Sequence, residues 1–316
     1  MKAVRAHRFG GPEVLTYEEV PVPEPGEGEV LVRVHAAGLN PPDWYARSGF
    51  GNIAEELRPV VAFPFTPGTD ISGVVAAAGP GVTEWHPGDE VFGLLRFPSL
   101  HGRGYAEYTT APAGDLARKP ATLDHVHAAA VPMSALTAYQ YLNDIIKLEP
   151  KRSVLVNGAA GGVGHFAVQF AKLRDATVTA VASGRHAEFL AGLGADRFID
   201  YTTRDVAGEI NDADHLIDCV GGPHAYGLVP ALRDGGVVSP VFNGEFHRDE
   251  AALRGITFGG GQVHSDGGQL AEIAALIDEG AVKAGIDSVF PLAEAARAHE
   301  RAEQGHIQGK IVLTTI

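Results

Sequence analysis

The sequence contains a single cysteine, Cys219, in 316 residues. One cysteine excludes an internal disulfide and fits a reducing compartment. Basic residues are also scarce, with 25 Lys and Arg against 39 Asp and Glu and a net charge of −14. This balance argues against a nucleic-acid or anionic-membrane surface, which requires basic stripes. No apolar run approaches the length of a membrane span, and the N-terminus shows no apolar signal core. We therefore expect a cytoplasmic protein without nucleic-acid or membrane partners.

Glycine and apolar residues are abundant, with 40 glycines and a hydrophobic content of 45%. The length suits two domains. Short strand-like segments separated by Pro and Gly fill residues 1 to about 122 and predict a β-rich domain. A helical stretch runs from Asp124 through Tyr141. Beyond it, strands alternate with helices, which predicts an α/β domain with a parallel sheet. The predicted strands are 154–156, 178–182, 197–200, 215–218 and 236–239, followed by helices at 268–279 and Leu292–Ala302 and a final strand Lys310–Thr314.

A glycine-rich turn lies between the first of these strands and an amphipathic helix. It reads Ala159-x-Gly161-x-x-Gly164 with Gly158 before it, a departure from the usual G-x-G-x-x-G. Glycines let the backbone approach a pyrophosphate, and a helix N-terminus offers free N–H groups and a partial positive charge. The strand before the turn and the helix after it therefore predict a dinucleotide site.

The end of the second strand distinguishes the two nicotinamide cofactors. An NAD site usually has an Asp or Glu there, which accepts from the ribose 2′-hydroxyl. Here Ala182 and Ser183 stand at that place, Arg185 follows, and no carboxylate appears before Glu188. A hydroxyl and a guanidinium suit a 2′-phosphate, which favours NADP(H) over NAD(H). The alternative is a solvated arginine on a surface turn.

An ordered series of motifs along the chain resembles the medium-chain dehydrogenase/reductase superfamily, in its zinc-free, zeta-crystallin-like quinone oxidoreductase branch. Besides the glycine turn, the series includes Ala37-Gly-Leu-Asn-Pro-Pro-Asp43, Pro67-Gly-Thr-Asp70, Gly104-Tyr-Ala-Glu-Tyr108, Leu136-Thr-Ala-Tyr139, Asp218-Cys-Val-Gly-Gly222 and Gly309-Lys-Ile-Val-Leu313. The resemblance covers essentially the whole chain. It implies a GroES-like β-rich domain, residues 1–122 and 282–316, and a Rossmann doubly wound parallel-sheet domain, residues 123–281. It also implies a homodimer joined through the edge of the Rossmann sheet.

The resemblance also implies where the cofactor binds. Thr137 and Val220 would lie beside it, and Asn40 would lie near the nicotinamide ribose. The pyrophosphate would rest on Gly161, Gly162, Val163 and Gly164, and the 2′-phosphate would be surrounded by Ser183, Arg185 and Tyr201. Three further candidates are at carboxyl ends of late strands, which face the ligand crevice: Phe242, Asn243 and Phe258.

Lys310 is predicted either to reach a phosphate or to be a solvated strand residue. Cys219 is interpreted as a small buried residue at a strand end, not a redox thiol.

Zinc ligands are missing from the sequence. The zinc-dependent members of the superfamily have Cys where Asn40 stands and Gly-His-Glu where Gly68-Thr-Asp70 stands, and one cysteine cannot build a structural four-cysteine site. His125 and His127 do not face each other on a helix, so we interpret them as surface histidines. We expect no metal.

Without a Lewis acid to polarise the acceptor, a simple ketone is hard to reduce. An already activated acceptor, such as a quinone or an α,β-unsaturated carbonyl, is easier for the protein to reduce. The protein would hold the nicotinamide against the acceptor, exclude water and donate hydrogen bonds to the acceptor oxygen. Tyr45 is the candidate hydroxyl donor and Asn40 the second catalytic candidate, although a tyrosine in an Asp-Trp-Tyr cluster can equally be core packing. Asp43 is interpreted as a possible helix cap.

Three functions remain open from the sequence. The first is an NADPH-dependent reductase of quinones or enones. The second is a zinc-type alcohol dehydrogenase, which stoichiometric zinc would support. The third is an NADPH-binding structural or regulatory protein with little turnover, because the residues available for catalysis are few and generic.

Overall fold

The computed structural model of the protein describes residues 1–51, 55–96, 103–223 and 225–315. Fifteen named strands and nine α-helices occur in these ranges. The strands are β1 Lys2–Ala6, β2 Leu15–Glu19, β3 Glu29–Gly38, β4 Asp70–Ala78, β5 Glu90–Leu94, β6 Tyr108–Pro112, β7 Leu116–Arg118, β8 Ser153–Asn157, β9 Thr177–Ala182, β10 Arg197–Asp200, β11 Ala213–Asp218, β12 Leu232–Pro240, β13 Thr257–Phe258, β14 Ile286–Pro291 and β15 Lys310–Thr314. The α-helices are α1 Pro41–Ser48, α2 His125–Ala129, α3 Pro132–Gln140, α4 Gly162–Leu173, α5 Ala187–Gly192, α6 Val206–Glu209, α7 Arg248–Leu253, α8 Gly267–Asp278 and α9 Ala295–Glu303.

The first half of the chain forms a β-rich domain around β3. Apolar residues alternate along this strand, and Val30, Val32 and Val34 are buried on one face. The sheet order is β14-β15-β3-β4-β5-β7, and β6 pairs with the other part of β3. The last strand, β15, is antiparallel to β3 and parallel to β14. The C-terminal segment therefore returns to the first domain.

The second sheet is entirely parallel, with strand order β10-β9-β8-β11-β12-β13. This is the 3-2-1-4-5-6 order of a Rossmann fold, in which ligands bind at the carboxyl ends of the strands where the order reverses, here between β8 and β11. Val154, Leu136 and Phe166 belong to the buried cluster that joins β8 to α3 and α4. The predicted fold class, a GroES-like domain plus a Rossmann domain, is confirmed, and the domain boundaries at 122 and 282 stay a prediction.

One predicted helix is in fact divided. The stretch from Asp124 through Tyr141 consists of α2, α3 and a final π turn at Tyr141–Ile145. Pro132 is the first residue of α3, where its missing N–H interrupts no hydrogen bond; within one continuous helix it would break the ladder. In the described ranges, no helix has the length and apolar character that crossing a membrane requires.

Candidate cofactor and acceptor site

The glycine turn connects β8 to α4. Gly158 has φ +71°, a conformation that favours glycine, and Gly161 is the N-cap of α4. An ideal Cβ on Gly164 would lie 2.3 Å from the Gly158 carbonyl oxygen, so the helix packs directly on the turn. An ideal Cβ on Gly161 would meet only that oxygen within 4 Å, at 3.4 Å, so the space above Gly161 is open. The first N–H groups of α4, including those of Gly162 and Val163, lack helical partners by geometry and suit an anion.

The residues predicted for the 2′-phosphate lie at the ends of β9 and β10. The Arg185 guanidinium donates to the His306 carbonyl, and its Nε lies 3.0 Å from His186 Nε2. The Tyr201 hydroxyl is 3.4 Å from His306 Nδ1. His306 thus brings Arg185 and Tyr201 together, next to Ser183 at the start of the turn after β9. Sequence reasoning missed His306, which is 105 residues from Tyr201 and belongs to the C-terminal segment.

A carboxylate also lies beside this turn. Asp200 ends β10, and its side chain accepts from the Thr202 N–H at 3.0 Å and hydroxyl at 2.7 Å. These two hydrogen bonds hold the pKa of Asp200 below its ordinary value. An ideal Cβ on Gly184 would lie 2.5 Å from Asp200 Oδ2, so the carboxylate is close to the turn that carries Arg185. The sequence did not indicate this acid, because it comes from the neighbouring strand β10 and not from the end of β9.

The loop after β11 faces the same crevice. Asp218 is fully buried and accepts from Asn157 Nδ2 at 2.7 Å and from the Val220 and Gly221 N–H groups at 3.0 and 3.2 Å. Asp218 thereby fixes the loop and leaves the Val220 side chain 54% exposed at the crevice. A buried acid at the end of an apolar strand was the available sequence signal for this role. Cys219, between them, is half-buried, and burial raises the pKa of its thiol.

The other predicted Rossmann contacts differ in accessibility. Thr137 is buried in α3, where its hydroxyl donates to the Met133 carbonyl at 2.6 Å. Phe242 and Asn243 follow β12, and Phe258 is the last residue of β13. Asn243 is exposed, and the two phenylalanines are half-buried. These three residues therefore offer side-chain surface at the carboxyl ends of the strands.

On the β-domain side, Asn40 belongs to a buried polar cluster with Thr69, Asp70 and Lys310. Its Nδ2 donates to Asp70 Oδ2 at 2.9 Å and to Thr69 Oγ1 at 3.3 Å, and its Oδ1 accepts from Lys310 Nζ. The side chain is thus held in place and almost entirely buried. For Asn40 to contact a ribose, one of these hydrogen bonds would have to be replaced by a hydrogen bond to the ribose.

For Lys310, the structure excludes one of the two alternatives that the sequence left open. It is not a solvated strand residue: it is buried, and Nζ also donates to the Leu39 carbonyl at 2.9 Å and to Asp70 Oδ2 at 3.3 Å. Burial lowers the pKa of Lys310, and Asp70 opposes that shift. The side-chain stem passes the glycine turn, because an ideal Cβ on Gly162 would be 3.1 Å from Lys310 Cδ. Lys310 and Asp70 therefore form a charge pair inside the β-rich domain, while the lysine stem packs against the glycine turn of the Rossmann domain.

Asp43 caps α1, as its position suggested. Its carboxylate accepts from the Asn40 N–H at 2.8 Å and the Gly68 N–H at 3.0 Å, and the Tyr105 hydroxyl lies 3.4 Å away. Burial raises the pKa of Asp43 to about 7, and the two backbone donors oppose the shift.

Tyr45 lies on α1 at the junction of the two domains. Its ring is 5.6 Å from the Trp44 ring and 5.8 Å from the Phe242 ring of the Rossmann domain. The side chain is half-buried, and burial raises the pKa of its hydroxyl. At neutral pH the hydroxyl is therefore protonated and able to donate.

The residues at the zinc position do not fit zinc. An amide, a hydroxyl and a carboxylate stand there, from Asn40, Thr69 and Asp70, and the Lys310 ammonium lies among them. Zinc prefers thiolate and imidazole ligands, and an adjacent ammonium repels a cation. Elsewhere, His127 is exposed as predicted, but His125 is not a surface histidine. Its Nδ1 lies 2.8 Å from Ser72 Oγ, and its ring lies tilted with its centroid 4.3 Å from that of His35 of β3, because α2 packs on that strand.

Two family models match the chain. Residues 26–121 match the alcohol dehydrogenase GroES-like domain. Residues 193–313 match a domain described as zinc-binding dehydrogenase.

Relatives match over nearly the full length. A chloroplast envelope quinone oxidoreductase homolog from Arabidopsis thaliana is 34% identical and covers 99% of this chain and 98% of its own. A mitochondrial NAD(P)H oxidoreductase from Bos taurus is 32% identical, over 98% of this chain and 88% of its own.

Solved structures show the same fold. The quinone oxidoreductase from Coxiella burnetii has a TM-score of 0.92 at 35% identity, covering 100% of this chain and 99% of its own. An NAD-dependent alcohol dehydrogenase has a TM-score of 0.89 at 34% identity over all of both chains. A mycobacterial protein complexed with NADPH has a TM-score of 0.88 at 27% identity, covering 99% of this chain and 100% of its own.

Proposed function

Because the chain belongs to the medium-chain dehydrogenase/reductase superfamily, we propose that it is an oxidoreductase that uses NADPH, without zinc, to reduce a quinone or an α,β-unsaturated carbonyl compound. The oxidoreductase activity and the nicotinamide cofactor are supported by relatives and solved structures that carry these names. The finer choices, which are NADPH, the acceptor and the absence of zinc, rest on the residues of this chain.

The observation that carries the proposal is the glycine turn opening onto the crevice between the domains, with Arg185 at its far end. The turn offers backbone donors for a pyrophosphate, and Arg185, Ser183 and Tyr201 offer donors for a 2′-phosphate. The negative charge of the Asp200 carboxylate would disfavour binding of a phosphate nearby. The Thr202 hydrogen bonds keep Asp200 ionised and turn its two contacts towards Thr202, so the proposal relies on Arg185, Ser183 and Tyr201 together to bind the phosphate.

The bound NADPH would supply a hydride from its nicotinamide ring. Reduction of a quinone to a hydroquinone consumes that hydride and one proton. We assign the hydrogen bond to the acceptor oxygen to the Tyr45 hydroxyl, which stabilises the negative charge as it develops. The buried cluster of Asn40, Asp70 and Lys310 positions the start of α1, and therefore Tyr45, rather than contacting the acceptor. The Tyr45 ring lies 5.8 Å from the Phe242 ring, so residues of both domains border the crevice at this point.

The activity is tested with the purified chain, NADPH or NADH, and a panel of quinones, enals and simple ketones. We expect NADPH oxidation with quinones or enals, unchanged by prior treatment with a zinc chelator. Simple ketones should react at background, because no Lewis acid polarises them. Background rates with every quinone and enal, alongside tight NADPH binding, would support the structural or regulatory alternative. Loss of activity on chelation would support the zinc-type alternative.

Replacement of Arg185 by alanine tests the cofactor choice. We expect NADPH affinity to fall by roughly tenfold to a hundredfold, because the 2′-phosphate loses its charge partner. NADH affinity should change by less than about twofold. Both are measured by titration of the protein fluorescence or by calorimetry. The matched control is Arg197→Ala, which removes an exposed arginine that pairs with Glu209 at the amino end of β10, away from the carboxyl ends of the strands. Equal affinities for both cofactors in wild type and variant would refute the assignment.

We also propose a homodimer through β13, which pairs with β12 on one side and forms an edge of the described sheet. Sedimentation of the purified chain tests this. The cytoplasmic location stays a prediction from the sequence.

A further inference from the structure

A cavity lies at the carboxyl ends of β12 and β13, next to the crevice between the domains in which the acceptor is proposed to bind. Its volume is about 480 Å³, within the range that holds a small organic ligand. Phe242 and Phe258 contribute aromatic surface to it. The Tyr141 hydroxyl lies 2.9 Å from both the Pro240 and the Gly261 carbonyl oxygens at the base of the cavity and can donate to either of them. Since the Phe242 ring also contacts the Tyr45 ring, the cavity continues from the candidate donor.

Arg248 is the single charged side chain among the described residues that line this cavity. Its guanidinium lies 4.2 Å from the centroid of the Phe258 ring. Within the described parts of the chain, no carboxylate is within ion-pair distance of it. The neighbouring acid Glu250 is occupied by the Tyr226 hydroxyl at 2.6 Å and by His247 Nδ1 at 3.4 Å. The cavity therefore combines two aromatic rings and polar lining groups with one positive charge that has no counter-ion among the described residues.

We propose that this cavity is an acceptor subsite that selects planar, ring-containing acceptors bearing an acidic substituent, with Arg248 as the specificity-determining residue. The inference rests on the proposed reductase function and specifies its substrate class. The acceptor ring packs along Phe242, and its acidic group pairs with the guanidinium that Phe258 holds in place. A guanidinium and a sulfonate, carboxylate or phosphate form charge-assisted hydrogen bonds, and stacking on a ring pre-organises the cation.

The test compares two acceptors, naphthoquinone and naphthoquinone sulfonate, in the wild type and in Arg248→Met. Methionine keeps an aliphatic stem against Phe258 and removes the charge. We expect the ratio of kcat/KM for the sulfonated over the neutral quinone to fall roughly tenfold in the variant, through KM. The neutral quinone should change by less than about twofold. Arg248→Lys should keep part of the preference, and raising the ionic strength from about 0.05 M to about 0.5 M should reduce it in the wild type.

Arg174→Met is the control, because it removes one exposed arginine that caps the C-terminus of α4 and does not line the cavity. It should leave the ratio unchanged. Calorimetric titration with naphthalene sulfonate gives a readout independent of turnover, and binding should weaken in Arg248→Met alone. If the wild type reduces neither of these two quinones nor any other quinone or enal of the panel, the proposed function fails. If it reduces both, and Arg248→Met affects both equally or not at all, the subsite is wrong while the function stands.

Discussion

Replacing Lys310 with methionine is expected to lower the free energy of unfolding by about 3–5 kcal/mol at neutral pH, because it leaves a buried carboxylate without its ion-pair partner. Asp70 is fully buried and would keep its carboxylate without the only ammonium that reaches it in the described structure. Asn40 would also lose the donor to its Oδ1. Chemical denaturation of the purified variant measures the loss.

The loss should depend on pH. Burial raises the pKa of Asp70, and Lys310 lowers it again. Without Lys310 the folded-state pKa rises further above the unfolded value, so the folded variant binds a proton more tightly than the unfolded chain does. Its stability should therefore fall as pH rises above the ordinary Asp range, and the difference from wild type should shrink in acid.

Two variants separate this explanation from simple loss of packing. Lys310→Met combined with Asp70→Asn removes both charges and should recover at least half of the loss, because a neutral pair avoids the unpaired carboxylate. Lys119→Met is the matched control: Lys119 is also buried, but its partner Glu90 is 55% exposed and can be hydrated. Its loss should be about 1 kcal/mol. A double variant as unstable as the sum of its two single variants would contradict the charge explanation.

The elements that the sequence predicted well are those specified by local pattern. Turn residues and apolar periodicity located β8, the glycine turn and α4, because a strand, a left-handed Gly158 and an amphipathic helix each leave a local signature. Pro132 was also a local signal for the boundary between α2 and α3. It was missed because the apolar pattern continues across it.

The parts that failed depend on contacts distant in sequence. Lys310 and Asp70 are 240 residues apart, and no local pattern connects them. His125 was judged against its own helix, whereas its partners are Ser72 and His35 on strands of the other domain. Asp200 was overlooked because it reaches the cofactor turn from the neighbouring strand. Polar side chains whose partners come from another strand or from distant parts of the chain are thus the residues for which the sequence was least informative.

A glycine-to-alanine pair in the turn tests where the pyrophosphate binds. Gly164→Ala is expected to damage the protein even without cofactor, because its Cβ would lie 2.3 Å from the Gly158 oxygen and 2.7 Å from Ala159 Cα. Both are backbone atoms, so the turn or α4 must shift, at a cost of about 1–3 kcal/mol or more. We expect a lower melting temperature and loss of cofactor binding together.

Gly161→Ala should separate these two effects. Gly161 has φ −76° and ψ −176°, which alanine adopts readily, and its Cβ would meet only the Gly158 oxygen, at an ordinary 3.4 Å. The free protein should therefore lose less than about 1 kcal/mol, the difference between glycine and alanine at an N-cap. The methyl group would, however, fill the space through which a pyrophosphate approaches the first N–H groups of α4. NADPH affinity should then fall at least about tenfold while the fold persists, as measured by thermal denaturation and by titration of the same preparation. An alanine at 161 that binds NADPH as tightly as wild type would place the pyrophosphate elsewhere and remove the basis for a cofactor in this crevice.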